Sequence, residues 1–223
     1  MTPVTRALFD YHRRAVSQPR VERVAAALAA QIGRADSLLD IGAGDGIVGE
    51  AVGSRVGASR VEGVDVLVQP NAVIPVTAYD GEHLPFEDGA FDAVTLSDML
   101  HHAEHPERVL REALRVAKHV VAIKDHFRFG HVTGAVLLAM DVVGNAASGV
   151  FVRGRYLAPS GWSVLVREAD GRIAGLTWPL RIHDAPWRFV TGDRLQFAAR
   201  IERAGEGAAP GVPLPSDDGS VRS

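Results

Sequence analysis

The sequence predicts an α/β fold in which a mostly parallel sheet carries helices on both faces. Three observations predict it. Short apolar runs alternate with longer amphipathic ones, as in repeated strand and helix units. The stretch Leu38 to Val52, LLDIGAGDGIVGEAV, is an apolar run that ends in Asp40 and passes through three glycines into a helical pattern. A second apolar-alternating run, Arg60 to Val66 (RVEGVDV), ends in Asp65 about twenty residues past the glycines. A chain of 223 residues with 47% hydrophobic content can bury one substantial core, so a single domain over residues 1–204 is expected.

The elements follow in order. Arg6 to Ala15 and Val21 to Ile32 read as helices of an N-terminal cap over residues 1–34. Strands are expected over Ser37 to Ile41, Arg60 to Val64, Val73 to Thr77, Ala90 to Leu96 and His119 to Ile123. One helix follows the glycines and another spans Pro106 to Val116. Beyond Asp125 the pattern changes, and residues 125–162 are read as a substrate-side insert containing a mostly apolar helix, Val132 to Ala147. A helix over Ser160 to Glu168 and strands over Ile173 to Ile182 and Leu195 to Ile201 complete the domain. The tail from Gly205 to Ser223, rich in Gly, Pro, Ser and Asp, is expected to be disordered.

The glycine turn carries the first chemistry. Gly42, Gly44 and Gly46 have no Cβ and tolerate positive φ, so a nucleoside-sized ligand can lie against bare backbone beside Ala43. Asp40, ending the strand, is placed at the crevice where open α/β sheets bind ligands. Ile47 stands where a dinucleotide fingerprint needs a small residue, which disfavours NAD. No Lys-Ser or Lys-Thr follows the glycines, and Glu50 would oppose a polyphosphate. An acid before the glycines suits a cationic ligand.

Asp40 to Gly46 resembles the first motif of the class I S-adenosylmethionine-dependent methyltransferases, acidic-x-Gly-x-Gly-x-Gly. The resemblance implies a Rossmann-like, mostly parallel seven-stranded sheet with an antiparallel last strand, and S-adenosyl-L-methionine as cofactor. It implies that Asp65 accepts the two ribose hydroxyls and that Asp80 meets the adenine amino group, with Gly81 as its backbone neighbour. Val66, and Ser97 at the end of the fourth strand, complete the expected cofactor set. Tyr11, on the first helix, is either an aromatic lid near the sulfonium or a core residue. The stretch LPFEDGAFDAVTLSDMLHHAEHPERVLREALRVAK is similar to the small-molecule subgroup called type 11, and the match runs from Ala35 to Asp125. One departure stands out: a Pro-Gly-Gly turn usual in the family is missing, and Lys118 runs directly into His119, so that connection must be tight.

The acceptor side is read by elimination. Lys124-Asp125-His126 falls at the carboxyl end of the fifth strand, where open sheets place chemistry. His126 is a candidate base for a hydroxyl or amine acceptor, with Asp125 or Asp141 holding its tautomer. The bland alternative makes His126 and His131 surface or capping residues. His102, with His101, is the competing base, or else packs the strand–helix junction. No His, Cys and Asp spacing suggests zinc, and no metal is expected. Trp162, Trp178, Trp187, Phe127, Phe129 and Phe151 either line an apolar acceptor pocket or form core.

Net charge of −3 with interspersed signs offers no basic stripe for nucleic acid. The absence of cysteine excludes disulfides and thiolate chemistry. The first residues lack a signal-peptide layout and no run reaches the length of a membrane span, so no membrane partner is expected and the cytoplasm is the default location. Methyl transfer to a small, apolar or aromatic molecule is the leading function. A cofactor-binding protein without methyl transfer is the alternative, and a nucleotide-dependent oxidoreductase is third. Neither the acceptor nor the oligomeric state is set by the sequence.

Overall fold

A computed structural model describes residues 18–145, 154–183, 192–205 and 209–220. Tyr11 and the helix expected over Arg6 to Ala15 lie outside the described residues, as do Phe151 and Trp187. The described elements are α1 (Gln18–Ile32), β1 (Ser37–Ile41), α2 (Ile47–Val56), β2 (Arg60–Asp65), β3 (Val76–Ala78) and β4 (Phe91–Ser97), then α3 (Pro106–Val116) and β5 (Ala117–His126). They continue with α4 (Gly130–Asn145), α5 (Pro159–Glu168), β6 (Gly171–Thr177) and β7 (Gln196–Arg203). A one-turn 3₁₀ helix, Leu100–His102, follows β4.

The seven strands form one sheet in the order β3-β2-β1-β4-β5-β7-β6. β1 lies between β2 and β4 and is parallel to both. β7 alone runs antiparallel, against β5 on one side and β6 on the other. The expected Rossmann-like arrangement is therefore the one observed. Strand order reverses about β1, so β2 and β4 diverge from it and open a crevice at its carboxyl end.

Alternation along the strands sorts side chains to two apolar layers. Leu38, Ala93, Val120 and Ala122 face α1 and α2, where Val24, Leu28, Val52 and Val56 close one layer. Leu39, Ile41, Val94, Leu96 and Val121 face α3 and α5, where Leu110, Leu114, Trp162 and Leu165 close the other. Phe127 and Phe197 stack at 4.1 Å within the second layer, with Trp162 edge-on to Phe197 and Phe129 beside Phe127. Trp162 and Phe127 are thus core, with Phe129 and Trp178 packed against it.

The connection from α3 to β5 is as tight as its sequence demands: the helix ends at Val116 and the strand begins at Ala117. β6 stops at Thr177, short of the expected Ile182, because Pro179 has no N–H to give the ladder. The tail is a correction. Residues 209–220 are packed: Val212 N–H donates to Ile173 C=O at 2.7 Å, Leu214 is buried in the second layer, and Asp217 accepts from Ser160 N–H and Oγ–H at 2.9 and 2.6 Å. Composition hid one apolar anchor and a carboxylate that caps the start of α5.

Candidate functional site

The glycine turn between β1 and α2 is built from backbone. Gly42, Gly44 and Gly46 take φ of 73°, 55° and 77°, values that a side chain disfavours. A Cβ on Gly42 would lie 2.9 Å from Met99 Cβ, and one on Gly46 would lie 2.6 Å from Ile74 Cγ1. A Cβ on Gly44 would meet nothing within 4 Å. The turn is therefore packed from behind and open at Gly44. Across the opening stands Asp65, whose Oδ2 accepts Gly44 N–H at 2.8 Å and whose Oδ1 accepts Leu67 N–H at 2.9 Å. Two bonds leave further lone pairs on both oxygens for ligand hydroxyls.

Val66, 65% exposed, continues this wall, and Gly81 (φ 90°) brings its backbone so close that a Cβ there would lie 3.4 Å from Val66. Asp80 Oδ1 accepts the N–H groups of His83 and Glu82 at 2.7 and 2.8 Å, and these bonds hold its carboxyl down to about 2. Ala43 is buried beneath the turn, and Ser97 ends β4 in register with Lys124.

Asp40 corrects the expectation that it faces the crevice. It is 2% exposed, tucked under α2, with Thr95 Oγ–H donating to it at 2.7 Å and Gly49 N–H also bonded to it. Burial pushes its carboxyl up to about 7 against those bonds, with Asp65 adding to the rise. It braces the turn and carries only a partial charge at neutral pH.

The second half of the site lies at the carboxyl ends of β4 and β5. Lys124 interrupts the apolar run of β5, is fully buried and donates to Asp98 Oδ1, while Arg20 of α1 donates to Asp98 Oδ2 at 2.6 Å. Asp98 has φ 53°, a conformation Asp tolerates better than most residues, and its N–H bonds Lys124 C=O at 2.8 Å. Burial alone would raise its carboxyl, but the charges of Lys124 and Arg20 hold it well below the usual range.

Asp125 is the hub of the neighbouring cluster. Its Oδ1 accepts His101 Nδ1–H at 2.8 Å and His126 N–H at 2.8 Å, and lies 3.3 Å from His126 Nδ1. Those histidines keep it ionised despite complete burial. His101 is buried, which disfavours its charge, but the Asp125 carboxylate and then Asp141 raise it to about 10. His126 goes the other way: burial, and then Lys124, push its imidazole down, so it is neutral at neutral pH. His102 is likewise lowered, by burial and by the charge on His101. Asp141 Oδ2 lies 3.1 Å from His101 Nε2 and 3.7 Å from His102 Nε2, and accepts the Tyr156 hydroxyl.

Of the residues expected to act on the acceptor, His126, Asp125 and His102 do gather in one cluster. Asp141 serves His101 and His102, not His126. Sequence reasoning placed Lys124 at the right strand end but gave it no partner, and it missed Asp98, Arg20 and the central position of His101. The available signal was Lys124, a charge inside an apolar strand, which demands a buried partner. The two halves adjoin, because Met99, which packs behind Gly42, lies between Asp98 and the His101-His102 turn.

Residues 39–120 match the family model described as "Methyltransferase domain". The chain is 33% identical over 95 residues to the ubiquinone/menaquinone biosynthesis C-methyltransferase UbiE of Chromobacterium violaceum, covering 37% of this chain and 39% of that protein. It is 33% identical over 94 residues to the ubiquinone biosynthesis O-methyltransferase of Sodalis glossinidius, covering 37% of each. The chain thus spans about two fifths of the length of the curated relatives it matches. Its fold resembles that of a solved methyltransferase in complex with the Haloferax volcanii Trm112 activator, with a TM-score of 0.64 at 14% identity over 91% of this chain and 97% of that one. Among the described residues no helix is long and apolar enough to cross a membrane.

Proposed function

We propose, from the premise that this chain carries a class I S-adenosylmethionine-dependent methyltransferase domain of type 11, that it methylates a small apolar or aromatic molecule at an oxygen or a ring carbon. The observation that carries the reading is the juxtaposition of two devices on one crevice. One is a backbone cradle open only at Gly44 and faced by Asp65. The other is a neutral, nine-tenths buried imidazole, His126, at the end of β5.

The residues present fit the cofactor. Gly44 leaves room for a nucleoside against backbone, Asp65 holds spare acceptor capacity for ribose hydroxyls, and Val66 with Gly81 forms an apolar wall for a base. Asp80 offers a carboxylate at the same edge. S-Adenosylmethionine, when bound there, supplies an electrophilic methyl group and needs no activation from the protein beyond alignment.

The chain's own part is positioning and proton removal. His126 Nδ1 faces the Asp125 and Asp98 carboxylates at 3.3 and 3.5 Å, which fixes the tautomer with Nε2 free to take the acceptor's proton. Asp125 and Asp98 orient that ring and offset the positive charge it gains. The curated relatives act in ubiquinone biosynthesis at carbon and at oxygen. An acceptor bearing an aromatic hydroxyl, methylated there or at an adjacent ring carbon, suits the same base.

Calorimetry with S-adenosylmethionine, S-adenosylhomocysteine and NAD, followed by a screen of phenolic and quinol acceptors, tests the proposal. The sulfur nucleosides bind and NAD does not. His126→Gln lowers turnover by about 100-fold or more and leaves nucleoside affinity unchanged. Equal losses in both would make His126 structural, and nucleoside binding with no methylated product from any acceptor would mean that this chain binds the cofactor without transferring from it.

A further inference from the structure

We propose that His101, His102 and Asp141 form a binding site for a divalent first-row transition cation, beside the cluster that holds His126. One ligand atom from each lies within 4.8 Å of the others. His101 Nε2 and His102 Nε2 stand 3.1 and 3.7 Å from Asp141 Oδ2. Ligands bonded at about 2.0–2.2 Å to one tetrahedral ion are separated by about 3.3–3.5 Å, which these distances straddle.

His101 Nε2 is buried and, although it lies 3.1 Å from Asp141 Oδ2, makes no well-aligned hydrogen bond. The opposite side of the ring supplies an independent sign. His101 Nδ1–H is donated to Asp125 Oδ1 at 2.8 Å, the carboxylate–histidine pairing that metal-bound imidazoles almost always show. That bond orients the ring so that Nε2 faces Asp141. The Tyr156 hydroxyl, donating to Asp141 Oδ2, orients the third ligand in turn.

The donor set selects the ion. Two imidazoles and one carboxylate suit zinc, ferrous iron or manganese better than the all-oxygen cations, and a chain without cysteine offers no thiolate to a soft metal. The ion would displace the proton that Asp125 and Asp141 otherwise keep on His101, and two neutral histidines with one carboxylate then leave one positive charge on a divalent ion. The His102 and Asp141 side chains keep 17% and 16% exposure, so further ligands reach the ion from the solvent side. A hydroxyl bound there is made more acidic. The ligands come from the turn after β4 and from α4, so the ion would tie the substrate-side insert to the sheet. Residues so distant in sequence leave no spacing motif, which is why no metal is expected from the sequence.

The test uses the full chain stripped with a chelator and titrated with Zn²⁺ alone, by calorimetry and equilibrium dialysis, with Co²⁺ absorption reporting coordination. One ion per chain is expected. His102→Ala and Asp141→Asn each weaken binding by about 100-fold or more, and Asp125→Asn weakens it by about 10–100-fold through His101. His119→Ala, an exposed histidine at the other end of β5, changes nothing. Circular dichroism of each variant confirms folding. Absence of stoichiometric binding, or binding that both the His102 and Asp141 variants retain, overturns the site and leaves His101 as an imidazolium between two carboxylates. Nucleoside binding, measured on the same samples, stands or falls separately.

Discussion

Asp40 and Asp125 are both buried aspartates near the carboxyl ends of strands, separated only by β4, and the protein treats them in opposite ways. Around Asp40 the partners are a neutral hydroxyl and a backbone N–H, and desolvation wins, lifting the carboxyl to about 7. Around Asp125 the partners are two imidazoles, and the carboxylate stays charged. The same residue type is a brace in one region and an electrostatic hub in the other. Depth of burial does not decide the matter; the charge of the neighbours does. The glycine-turn region accordingly works through backbone and shape, and the β4–β5 region through a chain of alternating charges.

Breaking that charge chain should have a large effect at every pH where the pair is charged. Among the described residues, Lys124→Ala leaves Asp98 with the partly exposed Arg20 as its remaining Lys or Arg partner. Removing one member of a buried pair typically costs about 3–5 kcal/mol, and the remaining partner argues for about 3 kcal/mol here. The urea midpoint reports it. A loss under about 1 kcal/mol would mean that Asp98 is effectively solvated and that the two regions do not differ as described.

The Asp40 side of the comparison predicts a pH dependence of opposite origin. Its folded carboxyl, near 7, sits above the unfolded value of 3.8, so folding favours the protonated form. Its contribution is fully present below pH ~4, is lost as pH rises toward about 7 and is constant above. A rise of this size amounts to at most about 4 kcal/mol. Asp40→Asn should flatten the wild-type decline between those limits when stability is measured across pH. An unchanged slope would place the titration elsewhere.

The same contrast explains what was legible. Asp40, the three glycines and Asp65 are contiguous or spaced by one strand–helix unit, so a local pattern exposes them, and strand and helix periodicity located β1 and α3 to the residue. The charge cluster draws on α1, the turn after β4, β5, α4 and the segment holding Tyr156. No period in the sequence brings Arg20 to Asp98, or Asp141 to His101. The positive φ of Asp98 is likewise a product of its tertiary bonds. Asp40 shows the converse failure: its position was legible and its protonation was not, because protonation depends on what packs over it.

Within the glycine turn, two substitutions separate folding from binding and so sharpen the contrast furthest. Gly46→Ala forces a Cβ to 2.6 Å from Ile74 at φ 77°, so the turn must shift, with a stability loss of about 2 kcal/mol. Gly44→Ala adds the same methyl at φ 55° but into open space, and only the backbone strain of about 1 kcal/mol remains. If that space is where the nucleoside lies, Gly44→Ala should lose binding of S-adenosylhomocysteine by tenfold or more while staying nearly as stable as wild type. Thermal unfolding and calorimetry on one preparation measure both. Full affinity in Gly44→Ala would mean that the ligand does not rest on this backbone, and that the turn's glycines are there for packing alone.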